Sequence, residues 1–211
     1  MQERKLTEAE SLALITQMIQ NTHRRLTVNA GKPYLVWGYL TVAVSLFEWL
    51  VVINDWSLYW LYAWWLIPAL GFPLMLLTCR KKPTEPKNYI DRAMESVWLV
   101  CSIALIPAFL MVLCTRGLSI LSVVLLLIGI GTWISGRLIQ AKGVSWGGIL
   151  FLAGSILLEG FGYLNAYLRA HEIITDNRFL QGGQILIFAV LFIVGMIIPG
   201  HILNAKTRKH A

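Results

Sequence analysis

Six stretches of this chain are almost wholly apolar, and polar connections separate them. They run over residues 33–53, 58–79, 93–115, 118–135, 144–168 and 180–203. Each is long enough to cross a hydrocarbon core of about 30 Å at about 1.5 Å per residue. Backbone groups in hydrocarbon must satisfy one another, so the stretches read as helices. The links at 54–57 and 116–117 are too short for anything but a tight reversal. Spans one and two, and three and four, are therefore antiparallel neighbours. The pattern predicts an all-α, polytopic membrane protein: six transmembrane helices arranged as three helical hairpins.

A different period precedes the spans. Leu12, Ile15, Ile19 and Leu26 recur at helical spacing with Met18 beside them, while Gln17, Gln20, Asn21, Arg24 and Arg25 fill much of the rest. Thr7-Glu8-Ala9-Glu10 fits a capping box, in which the Thr7 hydroxyl reaches the Glu10 amide and the Glu10 carboxylate reaches back. Residues 1–32 thus hold a cytoplasmic amphipathic helix from about Glu8 to Val28, and residues 204–211 form a basic tail. The apolar stripe either lies on the membrane and its own bundle or docks a protein partner or a second copy of the chain.

Charge sets the orientation. Of eighteen Lys and Arg, fifteen fall in the N-terminal segment, the second and fourth connections and the tail; the alternate connections hold only Arg116, Arg169 and Arg178. The positive-inside rule then puts both termini in the cytoplasm. A net charge of +7 suggests nucleic acid in a soluble protein. Here it sits on the short connections that meet anionic lipid, so no nucleic-acid role is expected. The chain is 57% hydrophobic, with a mean hydropathy of +0.65. Its polar first thirty-two residues are too long for the n-region of a cleaved signal peptide. Cys79, Cys101 and Cys114 lack metal or redox spacing and read as packing residues.

An internal repeat is visible. Gly131–Lys142 aligns without gaps on Gly195–Lys206 with five identities, and Gly71–Lys82 matches more loosely. Trp37-Gly38, Trp98 and Trp146-Gly147 stand near the start of the odd spans. Tandem duplication of a hairpin produces such a pattern, and so does the gathering of Trp, Gly and Lys at membrane interfaces. Pro68, Pro73, Pro107 and Pro199 should kink their spans. Gly143 and Gly147, with Gly154, Gly160 and Gly162, make the fifth span the easiest for another helix to approach.

Few residues can carry chemistry. Glu48 and Glu159 lie at comparable depth in the outer half of spans one and five. A carboxylate facing lipid is costly, so each should face protein or water. With Asn165, Ser119, Ser122, Gln184 and Arg116 from the same leaflet they compose a candidate proton or cation site; apart, each serves as interhelical hydrogen-bonding glue. Arg137 and His201 suit snorkelling to headgroups. His171-Glu172 begins like a zinc-protease motif but lacks the second histidine, and no nucleophile elbow, P-loop or dinucleotide fingerprint occurs. No catalytic residue, metal or cofactor is expected.

At Glu10-Ser11-Leu12, Ile15, Met18-Ile19 and Trp37-Gly38 the chain resembles a family of small, functionally uncharacterised bacterial six-span inner-membrane proteins. The resemblance implies a bacterial inner-membrane setting and carries no functional residues. The expected function is that of a non-enzymatic assembly, sensory or regulatory membrane component. The alternative is a small proton- or cation-coupled transporter with its site in the outer half of the bundle.

Overall fold

The computed structural model describes residue 12 and residues 31–78, 89–115, 118–173 and 178–209. All regular structure among the described residues is helical. Helix α1 covers Gly31–Ile53. A 3₁₀ segment, Leu58–Trp65, leads into α2, Leu66–Thr78. Then come α3, Tyr89–Cys114, α4, Ile120–Leu138, and α5, Lys142–Ala170. The last rod is α6, Arg178–Phe192, a π-turn over Ile193–Ile197, and α7, Ile198–Lys209. Among the described residues five helices are long and apolar enough to cross a membrane: α1, α3, α4, α5 and the rod from Arg178 to Ala205. The chain thus has the make-up of a multi-pass membrane protein.

The second expected span, 58–79, is not one α-helix. Pro68 has no amide proton, and its ring would meet the carbonyl of Trp64 in α-geometry. The eight residues before Leu66 wind as a 3₁₀ helix instead, well beyond the usual three or four. Residues three apart eclipse in that geometry, which lines up Tyr59, Tyr62 and Trp65 on one exposed aromatic face. Trp64 turns inward instead, edge-on to Phe188 at 5.8 Å. A second proline acts on the last span. Pro199 leaves the Gly195 carbonyl without its α-helical donor, and the π-turn falls there.

The helices pack through small and polar residues, because in hydrocarbon an apolar side chain gains little by leaving lipid. Along α1 the buried positions include Gly31, Tyr34, Gly38, Thr41, Ser45 and Glu48, three or four residues apart. Comparable seams run down α4 (Ser122, Leu125, Gly129, Thr132, Ser135, Gly136) and α5 (Val144, Gly147, Phe151, Gly154, Leu158). The most extensive contact is α4 on α5, followed by α1 on α6. Phe151, Phe188 and Phe192 fill the middle, with ring centroids 4.8–5.0 Å apart from one to the next. Helix α3 lies outside this core: it touches α4 and has no buried residue.

The three glycines that align in the repeat make comparable contacts. A β-carbon at Gly71 would lie 2.6 Å from the Trp37 ring, and one at Gly131 would lie 3.5 Å from the Trp98 ring. Between α5 and the π-turn Gly195 presents its carbonyl to Gly147, where a β-carbon would overlap it. Trp37, Trp98 and Gly147 thus each meet the aligned glycine of the helix that follows.

Candidate functional site

Glu48 is the most deeply placed charged group described. It is 0% exposed, and neither carboxylate oxygen has a hydrogen-bond partner among the described residues. It sits there because α1 turns one face inward, and Glu48 continues the spacing of Thr41 and Ser45 on that face. Ser45 donates its hydroxyl proton to the Thr41 carbonyl at 2.7 Å, the intrahelical bond open to a serine in hydrocarbon. An ionised carboxylate held in this way costs at least ~2.5 kcal/mol, and far more on some scales. Binding a proton removes most of that penalty.

The other expected residues divide. Glu159 accepts a hydrogen bond from the Ser119 backbone amide at 3.2 Å. Ser119 is the N-cap residue of α4 and makes no side-chain cap of its own. A carboxylate from α5 thus closes the start of α4, where the helix dipole favours negative charge. Since both Glu48 oxygens are unpartnered, no hydrogen bond joins the two glutamates. Asn165 is buried with its Oδ1 unpartnered, and Ser122 is buried with its hydroxyl unpartnered. Gln184 packs beside Gly162, on the α5–α6 side. Arg116 lies outside the described residues, as do Ile15, Met18, Ile19 and Leu26; Leu12 is helical and exposed.

Several polar groups join Glu48 in the core that the sequence reading passed over. The hydroxyls of Tyr34, Thr132 and Ser135 are buried and lack hydrogen-bond partners. Tyr34 and Ser135 nonetheless come near enough to interact, short of hydrogen-bond geometry, which ties α1 to α4 at the end where Lys32 and Arg137 stand. From that crossing, Glu48 is about 20 Å along α1 and Ser122 about 20 Å along α4 at 1.5 Å per residue. The two are level across the bundle. Their signal in the sequence is the 4-3-4-3 spacing of Tyr34, Gly38, Thr41, Ser45 and Glu48. It marks an inner face by small and polar residues where every face is otherwise apolar.

On the Ile53 side of Glu48 the next buried position of α1 is Val51. Trp49 and Ile53 pack against Gly182 of α6, where a β-carbon would lie 3.2 and 3.4 Å from them. Beyond, Asp55 and Arg178 form an exposed ion pair at 3.7 Å. Two further features lie on the exterior: an apolar groove lined by Leu35, Val36, Tyr39, Leu40 and Leu74, and a Tyr39–His201 hydrogen bond of 2.7 Å. Among the described residues no three His, Cys, Asp or Glu gather as metal ligands. No family model matches the chain, and no curated protein or solved structure matches it.

Proposed function

We propose that this chain is a non-enzymatic, multi-pass protein of a bacterial inner membrane, a sensory or regulatory component whose state follows proton binding at Glu48. The observation that carries the proposal is a carboxyl group wholly buried with both oxygens unpartnered. A group so placed has a large free-energy difference between its charged and neutral forms, so proton binding is coupled to the packing around it. A metal cation is the poorer fit. Such ions take several oxygen ligands, and among the described residues no three His, Cys, Asp or Glu stand together to supply them.

Six spans with both termini in the cytoplasm complete the proposal. Eight residues of 3₁₀ helix at about 2.0 Å and thirteen of α-helix at about 1.5 Å make a second span of about 36 Å, enough to cross. The fifteen-to-three division of basic residues supports the orientation. The resemblance in the first forty residues supports the bacterial inner membrane. The N-terminal stripe of Leu12, Ile15, Met18, Ile19 and Leu26 suits a protein partner or self-association. A second reading, a small proton-coupled transporter, draws on the π-turn beside Pro199, since such turns allow a span to change register.

Infrared titration of the purified protein in nanodiscs tests the proposal. A carboxyl C=O band that responds to pH and vanishes in Glu48→Gln is expected. Spectra that the substitution leaves unchanged at every pH would end the proposal. Proteoliposomes holding a pH-sensitive dye separate the two readings. Proton binding without sustained flux fits a sensor, while flux that Glu48→Gln abolishes moves the assignment to a transporter.

A further inference from the structure

We infer that the exterior groove on α1 holds an acyl chain of an anionic phospholipid, whose phosphate meets Lys32 and the Tyr39–His201 pair. This rests on the membrane part of the proposed function and not on Glu48. The groove measures about 390 Å³ and is lined by Leu35, Val36, Tyr39 and Leu40 of α1 with Leu74 of α2. By helical rise it starts about 6 Å from Gly31 and runs about 8 Å further along α1. It therefore lies at acyl-chain depth in the leaflet on the Gly31 side. The division of basic residues supports that side as the cytoplasmic one.

Polar groups stand at one end of this apolar surface. Lys32 precedes Val36 by one helical turn and Leu40 by two, so it shares the stripe of α1 that lines the groove. Its long stem lets the ammonium reach headgroup level. Tyr39, which lines the groove, also meets His201 of α7: the hydroxyl lies 2.7 Å from Nε2, and both residues are exposed. A β-carbon at the neighbouring Gly200 would lie 3.0 Å from Leu35 and 3.3 Å from the Gly31 carbonyl, which puts His201 near the first turn of α1. One hydrogen bond cannot use every donor of this pair. If Tyr39 donates to Nε2, the imidazole keeps its Nδ1–H; if Nε2–H donates, the phenol keeps its proton. A phosphate oxygen accepts from either.

Other occupants fit this surface less well. In hydrocarbon, helices approach one another closely through small residues, and no Gly, Ala, Ser or Thr lines the groove. A helix of a second copy would therefore seat poorly. A free phosphate would meet the polar end and leave the groove unused. A phospholipid matches both parts at once, hydrocarbon against the groove and phosphate against the polar groups. The basic excess of this face selects a headgroup with net negative charge, since a zwitterionic one gains far less from nearby cations.

The test uses the full chain in phosphatidylethanolamine nanodiscs with a minor share of phosphatidylglycerol that carries a diazirine on its acyl chain. Photolysis and peptide mapping then locate the label. Helix α3, which has no buried residue, reports the ordinary lipid shell. Label should concentrate on residues 35–40 and Leu74 relative to α3, whereas a phosphatidylethanolamine probe should mark both regions alike. Lys32→Gln should lower the groove-to-α3 ratio about fivefold, the worth of one basic group near an anionic surface. Tyr39→Phe combined with His201→Ala removes both remaining donors and should lower the ratio as well, while Glu48→Gln should leave it unchanged. Equal labelling of groove and α3 by the anionic probe overturns the inference, and this comparison needs no variant. So does a ratio that Lys32→Gln and the double variant both leave unchanged. An unlabelled groove overturns it too, and means that another part of the chain or a second copy covers it. An α3 that neither probe labels overturns the membrane reading, and the inference with it.

Discussion

Helix α5 contains its own control for how tightly the last span is held. Gly147 and Gly160 are both helical, on the same helix, and differ in what an added methyl group would meet. At Gly147 it would overlap the backbone carbonyl of Gly195, in the π-turn; at Gly160 nothing lies within 4 Å. Alanine raises helix propensity over glycine by about 1 kcal/mol at either place. Overpacking costs about 1–3 kcal/mol. A backbone carbonyl cannot rotate aside as a side chain does, so Gly147→Ala belongs in the upper part of that range, about 2–3 kcal/mol. The net expectation is a loss of about 1–2 kcal/mol for Gly147→Ala and a gain of up to about 1 kcal/mol for Gly160→Ala. A gap of about 2–3 kcal/mol corresponds to roughly 30- to 140-fold in the unfolding equilibrium. Unfolding in mixed detergent with increasing dodecyl sulfate, followed by circular dichroism, measures it. Coincident midpoints, or a Gly147→Ala protein more stable than wild type, would refute the reasoning that these two backbones touch.

Removing the Glu159 carboxylate by Glu159→Ala should cost about 0.5–2 kcal/mol, the range for losing a helix cap. Amide exchange over residues 119–122 reads the loss, and unchanged exchange there means that the Ser119 amide has another acceptor. A reporter fused after Ala211 should be active in the cytoplasm and one inserted near Asp176 outside; an external signal at the C-terminus contradicts the six-span arrangement. Replacing Ile15 and Ile19 with Ser should leave membrane levels intact while weakening association with a partner or the membrane surface. If neither association nor protease protection changes, the stripe has no docking role. Glu48→Lys should impair insertion or packing where Glu48→Gln does not, read as folded yield in mild detergent.

The spans could be read from the chain because an apolar run of eighteen residues or more has few other uses. Their limits fell within four residues of the helices seen at α1, α3, α4 and α5. The interior winding of two spans was not legible. Pro68 and Pro199 look alike in sequence, yet one follows a 3₁₀ segment and the other a π-turn. Tertiary packing chooses between these outcomes, and a proline only announces that some donor is missing. At the candidate site, the direction in which each side chain turns was not legible. Glu159 points at Ser119, whereas Glu48 has no hydrogen-bond partner among the described residues. Rotation about a helix axis is hard to infer where lipid-facing and core-facing positions are equally apolar. The small and polar spacing in the first span carried that information.

The placement of Glu48 on the α1–α6 side has a consequence for synthesis. Of the long helices described, α1 leaves the ribosome first, while α6, which packs most extensively on it, emerges only near the end. From Glu48 to Ile185 is 137 residues of further translation. At ~5–20 residues per second that is roughly 7–27 s. During this interval α4 and α5 can close on one another, since only three residues separate them, but the acid on α1 has no finished interior to enter. It must wait at the insertion machinery, hold a proton, or drag water into the bilayer. A chain halted before α6 would display an uncovered carboxyl in its first span.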